Sequence, residues 1–151
     1  MPKFKFHHEF NPMSLHDLAK RTAPQHLITS ASSILQNTLV STPGITRLML
    51  CSTDGFELIT RSHESDVISS GKMAAVSSSI LAMVHAFMRE IQLEGCQSIT
   101  LDADNGQAII TSLPYSNYPM VLVTLSSKDL LVGQLRFSVK HCCDEILKIK
   151  P

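Results

Sequence analysis

Apolar residues along the chain follow two patterns, a helical spacing of three and four residues and short continuous runs. Residues 27–39 carry the helical spacing, which predicts a first helix ending before Pro43-Gly44. Residues 48–51 (LMLC) and 120–123 (MVLV) are instead apolar at four successive positions. A strand with one solvated face alternates, so these two strands are expected to be covered on both faces.

Glycine-containing turns divide most of the predicted strands into two hairpins. Asp54-Gly55 and Asn105-Gly106 are each expected to form a two-residue turn, in which positive φ values favour Gly, Asn and Asp. Such short turns make the paired strands antiparallel. The five predicted strands span residues 45–52, 56–61, 97–102, 107–113 and 120–126.

The long helix between the two hairpins carries two apolar rows about 100° apart, a wider apolar arc than one sheet contact requires. We assign the first row to the sheet, which leaves the second row without a partner inside the domain. Gly95 is expected to close the helix. The first row is Met73, Val76, Ile80, Met83, Phe87 and Ile91, and the second is Ala74, Ser77, Leu81, Val84 and Met88.

A last helix from about residue 129 to 149 completes the order α-β-β-α-β-β-β-α. Strands that are apolar on both faces need helices above and below them. The predicted fold class is therefore α/β, an α/β/α sandwich around a five-stranded, mainly antiparallel sheet. Residues 1–25 differ in composition and are predicted to be a flexible N-terminal tail, with the folded domain at 26–151.

Composition and charge exclude several classes of function. The chain has 13 Lys or Arg residues and 13 Asp or Glu residues, so no overall positive electrostatic field favours binding to nucleic acid. No unbroken apolar run approaches the ~18 residues of a membrane span, so no membrane insertion is expected. The N-terminus lacks an apolar signal region. The four cysteines show no CxxC spacing, which predicts reduced thiols in a cytoplasmic protein.

Candidate catalytic and metal chemistry is sparse. Residues 69–72 (SSGK) resemble the end of a phosphate loop, but Asp66 and Met73 stand where that motif needs Gly and Ser or Thr. His7 and His8 lie in the predicted tail, which offers no preorganised metal site. No acid–base or nucleophile constellation is present. We therefore expect that the protein is not an enzyme, and that it has no catalytic residues and binds no metal or cofactor.

Four segments in order carry a resemblance to the roadblock/dynein light-chain family, in its bacterial MglB-like branch. They are STPGITRLMLCSTDGFELITR (41–61), KMAAVSSSILAMVHAF (72–87), ITLDADNGQAIITSL (99–113) and MVLVTLSSKDLLVGQLRF (120–137). The resemblance covers about four fifths of the chain and identifies residues 26–151 as a roadblock-like domain. The histidine-bearing tail departs from the minimal family domain.

The resemblance implies a homodimer in which the long helices and the third strands meet across a two-fold axis. The second apolar row and an open third strand lead to the same expectation from the residues themselves. The predicted dimer interface is Ala74, Ser77, Leu81, Val84, Met88, Gln97, Ile99 and Leu101.

Family resemblance also implies a role as regulator or scaffold for a Ras-like small GTPase. Two alternatives stay open: an adaptor without effect on any GTPase, and a PAS-like or profilin-like sensor that would enclose a ligand cavity. No residue is singled out as an arginine finger; Arg47, Arg61 and Arg89 qualify only if exposed. The polar side of the long helix is predicted to bind the partner through Ser78, His85, Arg89 and Gln92.

Overall fold

The computed structural model describes residues 23–63 and 68–151, which form three helices and five strands. Their order is the predicted α-β-β-α-β-β-β-α. The helices are α1 (Gln25–Ser41), α2 (Ser70–Glu90) and α3 (Val132–Leu147). The strands are β1 (Ile45–Ser52), β2 (Glu57–Ser62), β3 (Ser98–Ala103), β4 (Gly106–Leu113) and β5 (Met120–Ser126).

The strands form one five-stranded sheet in the order β2-β1-β5-β4-β3, and every neighbouring pair is antiparallel. β1 and β5 lie at its centre, which explains their unbroken apolar runs. Leu48 and Leu50 belong to the core on one face, whereas Met49 and Cys51 belong to the core on the other. β3 is an edge strand, as predicted.

Helices cover both faces of the sheet, which confirms the α/β/α sandwich. α1 and α3 share one face and bury Leu35 and Leu135 completely in the larger core. α2 lies on the opposite face and contributes Ala74 and Leu81 to a smaller core. The two faces therefore differ in cover, because two helices protect one and a single helix protects the other.

The first hairpin has a longer loop than the expected two-residue turn, and the second has a two-residue turn one position earlier than expected. The first loop spans residues 53–56, with Gly55 at φ +93° and its N–H donating to the carbonyl of Ser52. In the second hairpin Asp104 and Asn105 form the turn, and Gly106 is the first residue of β4, paired with Ala103. Gly106 does not have positive φ; a Cβ there would lie 2.9 Å from the carbonyl oxygen of Ser126.

We expect Gly106→Ala to destabilise the fold by about 1–3 kcal/mol, because the added methyl overlaps backbone rather than a movable side chain. Gly133→Ala is the matched control, since a Cβ at that α3 position meets nothing within 4 Å. There the gain in helix propensity predicts a stabilisation of roughly 0.5–1 kcal/mol. Chemical denaturation of both variants measures the difference, and equal stability would contradict the explanation.

The start of the domain lies slightly before the predicted boundary. Ala23 is buried in the larger core and α1 begins at Gln25, so residues 23–25 of the predicted tail belong to the folded part of the chain. The rest of that tail, with His7 and His8, lies outside the described residues, as does Asp66 of the incomplete phosphate loop.

Candidate functional site

The exposed side of α2 is the main unpartnered surface of the described part of the chain. Val76, Met83 and Phe87 of the first apolar row are 57, 63 and 62 % exposed, and Ile91 is 47 % exposed. The assignment of this row to the sheet is therefore wrong for these four residues, whereas Met73 and Ile80 of the same row pack partly on the smaller core. This helix of 21 residues is long and apolar enough to cross a membrane by length and composition alone, although it packs on the sheet along one side.

The second row provides the contact with the sheet instead. Ala74, Ser77 and Leu81 are buried against it, so the expectation that this row lacks a partner inside the domain is wrong for these three residues. Val84 and Met88 are half-buried. Small side chains at 74 and 77 let the helix backbone approach the sheet closely, which the larger residues of the first row would prevent.

The free edge of the sheet continues the apolar surface on the same side. Ile99 packs partly on the smaller core, and Leu101, two residues along β3, is 46 % exposed. α2 makes its principal sheet contacts with β1 and β2, at the far side of the sheet from β3. Gln97, also predicted at the interface, is exposed just before β3, and its carbonyl accepts from the N–H of Ser112.

We call the exposed side chains of Val76, Met83, Phe87 and Ile91 together with Leu101 the α2–β3 surface. Its residues lie on one side of the sheet and come from a helix and an unpaired strand edge. Sequence reasoning missed the helical part, because two apolar rows of similar strength do not reveal which one packs inward. The small residues of the inward row are the signal that distinguishes them.

The predicted partner-binding residues do not form one free polar face. The Ser78 hydroxyl donates to the carbonyl of Thr53, which ties α2 to the first hairpin. Gln92 is exposed at φ +60° and ends the helix in place of the predicted Gly95. His85 and Arg89 line one shallow pocket at the end of α2, together with Cys96.

The other two arginines considered as exposed candidates are engaged inside the domain. Arg47 is buried and its guanidinium donates to the Ser70 hydroxyl. Arg61 is half-buried and donates to the Ser32 hydroxyl and the carbonyl of Thr60. Of the three arginines, Arg89 alone remains exposed.

The residues that resemble a phosphate loop serve as a helix start. Ser69 is the N-cap of α2, with its hydroxyl accepting from the Lys72 N–H, and Ser70 begins the helix. Residues 23–63 and 68–151 hold no group of three or more His, Cys, Asp or Glu side chains arranged to bind a metal ion.

The thiols differ sharply in environment. Burial raises the pKa of Cys51 and of Cys143 to about 12 and also raises the pKa of Cys142, whereas Cys96 is half-exposed beside Arg89. Because the thiolate is the reactive form, we expect iodoacetamide at pH 8 to add a single group, at Cys96. Intact mass spectrometry counts the adducts. The unfolded protein should take up four groups, and the folded Cys96→Ser variant should take up none. Rapid labelling of a second native thiol would contradict the burial.

Comparison with known proteins identifies the fold. No family model matches the chain, and no curated protein matches it either. Among solved structures, the gliding protein MglB from Thermus thermophilus superposes with a TM-score of 0.73 at 14 % identity, covering 84 % of this chain and 93 % of that one.

Two further solved structures agree. An MglB in a tetrameric arrangement gives a TM-score of 0.73 at 15 % identity, covering 84 % of this chain and 92 % of that one. A Roadblock/LC7 domain from Streptomyces avermitilis gives 0.67 at 15 % identity, covering 76 % and 92 %. The chain therefore has the roadblock fold in its MglB-like form, which confirms the resemblance found in the sequence.

Proposed function

We propose that the protein is a non-enzymatic, homodimeric regulator or scaffold for a Ras-like small GTPase. The observation that carries the proposal is the α2–β3 surface, an exposed apolar helix face beside an unpaired strand edge. Exposed apolar area of this kind is typical of protein–protein interfaces.

Two-fold pairing would cover the end of the sheet that α2 of the same chain leaves exposed. α2 packs mainly over β1 and β2, so Ile99 and Leu101 at the opposite edge receive little cover from their own helix. A second copy that pairs β3 with β3 would extend the sheet and bring its own α2 toward this uncovered end. A stable interface of this kind buries about 1,200–2,000 Å² in total. The similar MglB in a tetrameric arrangement supports self-association as a property of this fold.

The GTPase part of the proposal rests on the resemblance to roadblock proteins. Arg89 and His85 lie at the end of α2, in a pocket beside the proposed interface, where they can contact a partner docked on the dimer. Charge at such a position tunes encounter rate and partner choice more than affinity. The reduced cysteines support a cytoplasmic location for this interaction.

Binding and hydrolysis assays on the purified protein test the proposal. A Ras-like GTPase captured from the source cell should bind in at least one nucleotide state. Arg89→Glu should weaken that binding, whereas Lys148→Glu, at the residue directly after α3, should not. The isolated protein should bind neither GTP nor GDP. Tight nucleotide binding by the protein itself, or capture of no GTPase in either state, would overturn the proposal.

Hydrolysis rates then separate regulator from adaptor. The α2–β3 surface fits a purely structural adaptor equally well, because dimerisation requires no effect on the partner. A GTPase that binds the dimer and hydrolyses GTP at its basal rate would assign the adaptor function.

A further inference from the structure

A groove of about 590 Å³ lies between α3 and the β3–β4 end of the sheet, on the face opposite α2. Its base is apolar: Ile109 and Leu113 of β4 and Val139 of α3 are almost fully buried. Leu147, in the last turn of α3, is partly exposed at one end. This volume falls within the range of sites for small organic ligands.

Hydroxyl groups from the two strands lie along the same face. Thr111 lines the groove opposite Ser98, and Thr100 lies opposite Ile109, two residues further along β3 on the same face. The Oγ1 atoms of Thr111 and Thr100 are buried and make no hydrogen bond within the described residues. Buried hydroxyls normally find a partner, and rotation of Thr111 about its Cα–Cβ bond would present its unpaired hydroxyl to a ligand oxygen in the groove.

One uncompensated cation completes the lining. Lys140 forms an ion pair with Asp144 at 3.2 Å, so these two charges offset one another. Arg136, one turn earlier on α3, also lines the groove and forms no ion pair within residues 23–63 and 68–151. The distance along α3 from Arg136 to Leu147 is about 16 Å, so the charge and the exposed leucine lie toward opposite ends.

We propose that this groove binds a small amphipathic monoanion, an unbranched aliphatic carboxylate. Its carboxylate contacts the Arg136 guanidinium and, once the Thr111 side chain has rotated toward the groove, accepts from the Thr111 hydroxyl. Its hydrocarbon chain lies over Leu113, Val139 and Leu147. A guanidinium recognises a carboxylate by two parallel hydrogen bonds, and the apolar base formed by Ile109, Leu113 and Val139 favours a hydrocarbon chain.

Charge argues against the protein's own N-terminal segment as the occupant. The phenylalanines of that segment, Phe4 and Phe6, alternate with Lys3 and Lys5, which would place further cations beside Arg136. The groove lies on the opposite face of the sheet from the α2–β3 surface, although Gln97 and Ser98 at the β3 edge belong to its lining. Binding of a carboxylate is measured without a GTPase, so its failure is distinct from failure of the proposed function.

Octanoate and its neutral analogue octanol are suitable probes, titrated into ¹⁵N-labelled full-length protein. We expect saturable shifts of the amide signals of Ser98, Thr111 and Val139, with octanol binding at least about tenfold more weakly, since one charged hydrogen bond contributes about that factor. Arg136→Gln should weaken octanoate binding about tenfold and leave octanol unchanged. Lys148→Gln, which removes a cation from the end of the same helix outside the groove, should leave both unchanged.

Three outcomes would overturn the proposal. The first is the absence of saturable shifts at the groove amides, and the second is equal affinity for octanoate and octanol. The third is tighter binding by a peptide with an acidic, apolar C-terminus than by any aliphatic carboxylate, which would assign the groove to a protein partner. Leu147→Glu provides a second variant at the partly exposed end, and it should weaken both probes through its carboxylate in the path of the chain.

Discussion

Phe87→Glu is expected to convert the protein from a dimer to a monomer at micromolar concentration, while the fold is retained. Phe87 is 62 % exposed in the single chain, so a carboxylate there costs the monomer little. In the proposed interface the same carboxylate would be desolvated without a partner, at a cost of several kcal/mol. Light scattering coupled to size-exclusion chromatography measures the mass directly, and partner capture should fall together with the dimer.

Ala86→Glu is the matched control for this variant. Ala86 is exposed on the same helix, one residue away and about 100° around it, outside the apolar stripe. The Ala86→Glu variant should remain dimeric, because a charge at this position stays in water. A wild-type protein that is monomeric under these conditions, or a Phe87→Glu variant that stays dimeric, would contradict the assignment of the α2–β3 surface.

Leu35→Ala is expected to lower the free energy of unfolding by about 2–5 kcal/mol. Leu35 is fully buried in the larger core, where α1 packs on the sheet, and the deletion leaves a cavity that rigid neighbours cannot fill. Urea or thermal denaturation at neutral pH gives the value.

Leu131→Ala provides the comparison for the same chemical change on the surface. Leu131 is 74 % exposed just before α3, so its truncation should alter stability by less than about 0.5 kcal/mol. Similar losses at both positions would mean that α1 does not pack as described.

Most of the fold could be predicted because local sequence and tertiary packing agree. The apolar runs at 48–51 and 120–123 mark the two central strands, and turn residues mark the hairpins. The role of Gly106 could not be predicted, because glycine is needed there to make room for the carbonyl oxygen of Ser126, which is distant in sequence. A short-range pattern does not contain that contact.

The candidate site was only partly predictable for a related reason. Periodicity showed that α2 has two apolar rows, and the open edge at β3 was expected. Which row packs inward depends on how closely the helix axis approaches the sheet, and small residues such as Ala74 and Ser77 decide that. The groove beside α3 was missed because its lining comes from β3, β4 and α3, elements whose juxtaposition is a property of the assembled fold.

The position of β5 has a consequence for the order in which the chain can fold. β5 lies between β1 and β4, so it joins the β1–β2 hairpin to the β3–β4 hairpin. During synthesis both hairpins are complete before Met120 has been made, and neither can close its inner edge. Sheet assembly must therefore wait until β5 has left the ribosome, and α3 is the next element made that can cover the new strand. Until then the nascent chain exposes the unpaired inner edges β1 and β4 in addition to the outer edges β2 and β3, a state in which chaperone protection is most valuable.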